Sequence, residues 1–292
     1  MGRWRCALAA SWLLLAVPAW AAEPVEPPVR RITWLAGDGI AAADGSQAIV
    51  RPSDRMIDWL TPRLPQIEQV RVNANAKRSW MLIEAGEPVC HTGAVRLPER
   101  ERQAYFTSTR LLPPLQLIVR RELRSQLPLD AAGQVDLPRL LADPRLRGVR
   151  VQGRSYGAQI DPMLQRQPLS TEVATGDFGS NVLPMLLRGH ADYALEFPFM
   201  VDVQARQRPE LADLAMLPIR GVTGMVVGGV ACSRTPWGLA AIRLIDRALG
   251  TPEGAAMLRA TQMPRLPPET ERLYRDQIDA FFRQRSQPTP GL

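Results

Sequence analysis

The sequence predicts an α/β protein built on two sheets. Three observations carry that reading: strand-like runs alternate with helix-like ones, the chain is 292 residues long, and 46% hydrophobic against 22% charged side chains supply ample surface to bury. A single core stops growing near about 250 to 300 residues, so two modest sheets fit this length better than one. Strands separated by helices pair in parallel through right-handed crossovers, and open sheets of that kind bind ligands at the carboxyl ends of their strands. The same composition excludes collagen, a coiled coil and wholesale disorder.

The elements follow in order. Arg31 to Ala36 reads as a short buried strand, broken by Gly37-Asp38-Gly39. Ile57, Leu60, Leu64 and Ile67 recur at helical spacing, interrupted by Pro62 and Pro65. Val70 to Val72 is a second strand, Ala74 to Ala85 a helix, and Val89 to Val95 an extended run after Gly86-Glu87-Pro88. Leu115 to Val119 is a strand, Leu137 to Leu141 a short helix, Val149 to Val151 a strand, and Gly153 to Gly157 the turn into another helix. Val182 to Arg188 is helical, Ala191 to Leu195 a strand, and Met225 to Ala231 an apolar strand carrying two glycines. Leu239 to Leu249 and Glu269 to Arg285 close the chain as amphipathic helices.

Residues 1–21 read as a signal peptide rather than as structure. Arg3 and Arg5 form a positive n-region, Ala7 to Val17 an apolar h-region, and Ala19-Trp20-Ala21 a small-residue cleavage pattern, which places the mature chain in the periplasm. The other reading, a buried N-terminal helix, would have to begin with two arginines and end at Pro18. The apolar run is too short and wrongly flanked for a membrane span, which excludes a channel or a pump. The chain carries 36 basic and 29 acidic residues, a net charge of +7. All the basic residues except Lys77 are arginines, scattered rather than clustered, a pattern that favours an anionic ligand and counts against a nucleic-acid partner.

Cys6 leaves with the peptide, so Cys90 and Cys232 remain in an oxidising compartment, where a matched pair usually joins. Two separate buried thiols are the alternative. His91 and His190 are the only histidines, and neither CxxC nor HExxH spacing occurs, so no metal site is expected. No cofactor is expected either.

Three stretches, taken together, resemble periplasmic solute-binding proteins of type 2, the polar amino acid class known as bacterial extracellular solute-binding protein family 3. The first runs from Gly93 through Pro98-Glu99-Arg100 and Tyr105-Phe106-Thr107 to the strand Leu115 to Arg120. The second is Val149 to Gly157, and the third Leu187-Arg188-Gly189-His190-Ala191-Asp192 through Glu196. Each is weak alone, but together they span about a third of the mature chain in the family's order. The resemblance implies a clamshell of two lobes, each a mostly parallel sheet flanked by helices, with the chain crossing between them twice. Lobe 1 would comprise residues 29–121 plus 223–285, lobe 2 residues 122–222, and residues 286–292 a flexible tail. Cys90 and Cys232 would both lie on lobe 1 strands, which favours a bond.

The same resemblance implies the ligand set. Arg100 matches the arginine that grips a ligand carboxylate, as a guanidinium can with two parallel hydrogen bonds; pairing with Glu99 or Glu101 on an exposed helix is the bland alternative. Gly93 matches the position that offers a backbone amide, and Val95 stands where relatives carry a hydroxyl. Lobe 2 would add the amides of a helix N-terminus at Gly153, Arg154, Ser155 and Tyr156, with Ser155 read equally as a helix cap. Arg154, if it faces the cleft, would suit a dicarboxylate or phosphate. Glu196 lies one residue before the position from which relatives hold an α-amino group, an offset that only a bulge would correct. Trp34 and Tyr156 are candidate aromatic walls, as are Trp80 and Phe197, and Asp38 a loop contact, although such aromatics belong more often to the core.

The implied function is capture of a small polar, anionic or amino-acid-like ligand, by a monomer without enzymatic activity, for an ABC transporter permease or a membrane sensor. Two alternatives stay open. One is a dehydratase-like periplasmic enzyme on the same scaffold, with Glu196 as its acid or base and His190 in reach. The other is a regulatory subunit that no longer needs a ligand, toward which Val95, the glutamate offset and the first loop all lean.

Overall fold

The computed structural model describes residues 28–37, 52–173, 182–206, 208–262 and 268–292. The proposed signal peptide and Asp38 lie outside them. Lobe 1 begins with β1 (Arg31–Ala36), α1 (Pro52–Leu60), β2 (Glu68–Asn73), α2 (Ala76–Glu84), β3 (Val89–Val95), the single turn α3 (Pro98–Glu101) and β4 (Ala104–Leu112). The chain then enters lobe 2 as β5 (Gln116–Arg120), α4 (Leu137–Leu141), β6 (Gly148–Val151), α5 (Asp161–Arg166), β7 (Thr171–Val173), α6 (Val182–Leu187), β8 (Tyr193–Glu196), α7 (Pro198–Ala205) and β9 (Leu214–Pro218). It returns to lobe 1 as β10 (Val226–Ser233), α8 (Pro236–Leu249), α9 (Pro252–Gln262), α10 (Pro268–Leu273) and α11 (Arg275–Arg285).

Many helices open on proline: Pro52, Pro98, Pro198, Pro236, Pro252 and Pro268 each occupy the first helical position. There the missing N–H would have had no intrahelical partner, and the ring fixes φ for the first turn. Asn75, Asp136 and Thr235 cap α2, α4 and α8 by accepting a backbone N–H in the first turn.

Among the described residues the strands form two five-stranded sheets, in the orders β2-β1-β3-β10-β4 and β7-β6-β8-β5-β9. Both are mixed. β2, β1 and β3 pair in parallel, as do β7, β6 and β8, whereas β10 runs against β3 and β4, and β5 against β8 and β9. The reason is topological, because β5 and β10 carry the chain into each lobe from the other and must start where the parallel strands end. Gln116, which opens β5, pairs with Glu196 at the end of β8 and Pro218 at the end of β9. Val226, which opens β10, pairs with Leu112 at the end of β4. Both crossings therefore lie at the carboxyl ends of the parallel strands, where open sheets hold ligands.

Each sheet is covered on both faces. In lobe 1, Ile32, Trp34, Ile57, Ile242, Ile245 and Phe282 fill one side, and Leu35, Trp80, Ile83 and Phe106 the other. Along β5 the pleat sends Leu117 and Val119 into one core and Ile118 into the opposite one. The two glycines of β10 mark a register shift against β4, and a Cβ on Gly229 would fall 2.0 Å from the Thr107 carbonyl oxygen. Next to that shift Cys232 faces Cys90 across the β10 and β3 ladder, and the two form a disulfide spanning 142 residues of sequence.

Several expectations are corrected. The lobe 1 boundary at residue 121 falls one strand late, since β5 belongs to the second sheet. The helix expected over Glu269 to Arg285 is two, α10 and α11, separated at Tyr274. The helix after Gly153 to Gly157 starts only at Asp161. Residues 286–292, expected to form a flexible tail, are instead tied down: Thr289 donates its N–H (2.6 Å) and hydroxyl (2.8 Å) to the buried Asp246 carboxylate. That carboxylate also accepts from Thr107 and Arg285, so it anchors this stretch to α8 and β4.

Candidate functional site

The lobe 1 wall is built by the residues just after β3. Leu97 turns into the core and Pro98 opens α3, which leaves Arg100 half-buried at the lobe edge. Its guanidinium lies 4.3 Å above the Trp80 ring of α2, a cation–π contact. Its Nη2 donates to the Gly153 carbonyl of lobe 2 at 3.3 Å. Burial lowers the Arg100 pKa to about 10 against the attraction of Asp161, so the group remains a cation at neutral pH. Gly93 is exposed on β3, whereas Val95 is buried. Beneath this wall, burial holds the His91 pKa down to about 3, so the ring is neutral, and its Nδ1 lies 3.3 Å from the Leu35 carbonyl.

The lobe 2 wall comes directly after β6. Gly153 takes φ +73°, and a Cβ there would meet the Lys77 backbone at 2.7 Å, so the lobes are in contact at this turn. Arg154 does not offer its guanidinium to solvent. Nη1 and Nη2 donate to the two oxygens of Glu196, each at 2.6 Å, a bidentate pair in which Glu196 is buried and Arg154 largely covered. The Tyr156 and Phe197 rings lie 5.2 and 5.6 Å from the same guanidinium. Burial opposes that charge, but the Glu196 carboxylate keeps its pKa above the usual arginine value. Glu196 Oε1 also accepts the Phe197 N–H at 2.7 Å.

The turn donors are taken as well. The Ser155 hydroxyl donates to Asp161 Oδ2 at 2.5 Å and the Tyr156 N–H to Asp161 Oδ1 at 2.8 Å. Gly157 N–H donates back to Ser155 Oγ at 3.1 Å, and the Tyr156 hydroxyl accepts the Val151 N–H at 2.8 Å. Ser155 is thus not the N-cap of α5, which starts after Ile160. Nor are the Ser155 hydroxyl and Tyr156 amide free donors, as a helix N-terminus would have supplied.

Of the residues singled out from sequence, the structure brings Arg100 to the Gly153 turn and collects Arg154, Ser155, Tyr156 and Glu196 at the same end of lobe 2. Gly93 and Val95 lie on the strand that leads to Arg100. Trp34 is corrected: it is fully buried in the lobe 1 core, with Nε1–H donating to Gln69 Oε1 at 2.7 Å, and walls no cleft. Asp192 accepts from the Arg147 backbone and guanidinium and from Arg120, and so holds its turn. His190 is exposed, and the partner of Glu196 is Arg154. Sequence reasoning missed Asp161, whose only signal was an Asp-Pro helix start shortly after a Ser-Tyr-Gly turn. Among the described residues no group of three or more metal-binding side chains occurs, and no helix is long and apolar enough to cross a membrane.

Two mixed sheets flanked by helices, joined by a double crossing, define the two-lobed fold of type 2 periplasmic binding proteins. No protein-family profile matches the chain, and no curated protein does. Similar solved structures include an amino acid ABC transporter substrate-binding protein, AbpA, from Streptococcus pneumoniae bound to L-arginine, at 15% identity and TM-score 0.57, covering 81% of this chain and 94% of that one. A putative L-cystine ABC transporter protein from Listeria monocytogenes is 18% identical at TM-score 0.58, covering 82% and 97%. A histidine kinase sensor domain with similarity to periplasmic binding proteins is 14% identical at TM-score 0.60, covering 80% and 95%.

Proposed function

We propose that the chain is an extracytoplasmic solute-binding protein that captures a small polar ligand, anionic or amino-acid-like, between its two lobes. The observation that carries this reading is the meeting of Arg100, at the carboxyl end of one sheet, with the Gly153 carbonyl at the carboxyl end of the other. A guanidinium with five N–H donors spends one hydrogen bond there, which leaves a fork suited to a carboxylate. The similarity of the fold to amino acid substrate-binding proteins and to a kinase sensor domain supports delivery to an ABC transporter permease or a membrane sensor. The N-terminal charge and apolar pattern supports export to the periplasm, where the protein acts as a monomer. Glu196, the acid that an enzyme would use, is neutralised by Arg154, which favours binding over catalysis.

Thermal unfolding of residues 22–292 against amino acids and organic acids tests the reading. A ligand with a dissociation constant near 1 μM, present at 100 μM, adds about 2.7 kcal/mol of stability. Arg100→Ala should keep the fold and remove the shift. Failure of every solute to move the transition would refute capture of a small molecule.

A further inference from the structure

We propose that lobe 2 fills its own anion site, so that the cleft takes solutes with a single carboxylate and an uncharged or cationic far end, and turns away those with a second anionic group. This rests on the solute-binding reading above and narrows it to a substrate class. Two groups on lobe 2 would have greeted a second anionic pole: the Arg154 guanidinium, and the hydroxyl and amide donors of the turn at Ser155 and Tyr156. Each is already engaged by a carboxylate of the chain. Glu196 takes both forks of Arg154 at 2.6 Å, and Asp161 takes the Ser155 hydroxyl and the Tyr156 amide.

A second anionic group on an incoming solute would therefore meet two carboxylates on that side. To gain Arg154 it would have to break a buried, bidentate pair, and to gain the turn donors it would have to displace Asp161. Like charge at close range disfavours both moves. Lobe 1 differs. Among the described residues the Arg100 guanidinium makes one hydrogen bond, to the Gly153 carbonyl, and a single carboxylate can replace it with two. The charges of Arg100, Arg154, Asp161 and Glu196 already cancel, so a first ligand carboxylate adds one negative charge to these four and a second anionic pole would add another that none of them offsets. Asp161 also attracts Arg100, so its charge acts on the same guanidinium that a ligand carboxylate would address.

The test is titration calorimetry of residues 22–292 with five probes: L-glutamine, L-arginine, L-glutamate, succinate and inorganic phosphate. L-glutamine and L-glutamate differ little in shape and by one charge. The expected result is binding of L-glutamine or L-arginine at least tenfold tighter than L-glutamate, succinate and phosphate. Asp161→Asn and Glu196→Gln should each shrink that gap by about tenfold. Asp161→Asn, on a half-exposed turn, serves if Glu196→Gln does not fold. Equal or tighter binding of L-glutamate, succinate or phosphate by the unaltered chain overturns the charge selection while leaving solute binding intact. Binding of none of the five, by the unaltered chain or either variant, removes the solute-binding reading and this one with it.

Discussion

The two lobes each bring an arginine to the place where they meet, and the two arginines have opposite fates. Arg100 stacks on Trp80 and reaches one carbonyl, whereas Arg154 is locked by both oxygens of Glu196 between two aromatic rings. Residue type alone does not distinguish a ligand hook from a strut. What separates them is whether the fold supplies a carboxylate of its own. On the proposed reading, a half-buried guanidinium with spare donors is open to a solute, while a fully forked one organises the wall around it.

The sharpest way to break this comparison is to remove the partner on one side and the hook on the other. Glu196→Ala removes the carboxylate that both forks of Arg154 address, and should cost about 3 to 5 kcal/mol of stability by denaturant unfolding. Arg100→Ala removes a half-buried side chain and should cost under about 1 kcal/mol. Equal losses in the two variants would show that Arg100 is as structural as Arg154.

A second contrast is covalent. Lobe 1 carries the Cys90–Cys232 bond, and the described residues of lobe 2 carry none. Replacing both cysteines with alanine, or reducing the bond, should cost about 2 to 4 kcal/mol and lower the transition of lobe 1. A transition unchanged by reductant in calorimetry would contradict this.

The third contrast is protonation. Each lobe has one histidine: His91 is buried and neutral beneath Arg100, and His190 is exposed. The unfolded chain protonates His91 near pH 6.5 and the folded one only near 3, so between those values the unfolded state binds more protons and stability falls as pH falls. By pH 4.5 this one residue should contribute a loss of about 2 to 3 kcal/mol, absent in His91→Asn. Parallel stability profiles for the two proteins from pH 6.5 to 4.5 would refute it.

The legible parts of the fold were those where burial on both faces forces apolar runs, as in β1, β3, β5 and β10. β4 escaped because its sequence mixes threonine, serine and arginine with apolar residues. Thr107 and Thr109 are nevertheless buried in it, and Thr107 is satisfied by Asp246, 139 positions away. The wall at Arg100 was readable from its resemblance to a known motif. The pairing of Arg154 with Glu196 was not, because 42 residues separate them and no local spacing encodes which charges meet. Trp34 misled because an aromatic near a strand end reads alike whether it faces a cleft or a helix layer; Gln69 on the neighbouring strand settles it by taking the indole N–H. Asp161 looked like an ordinary helix-opening acid, and only its folding back onto Ser155 and Tyr156 reveals the second use.

β10 stands between β3 and β4 in the middle of its sheet, although it is made after every strand of the other lobe. During synthesis, then, β3 and β4 have no ladder to join them until more than a hundred further residues have emerged. The earlier-made half of the domain must wait, with open strand edges, for its keystone. The sulfur bridge between Cys90 and Cys232 joins a strand made before lobe 2 to one made after it, so it fastens together two parts of lobe 1 that leave the ribosome far apart in time.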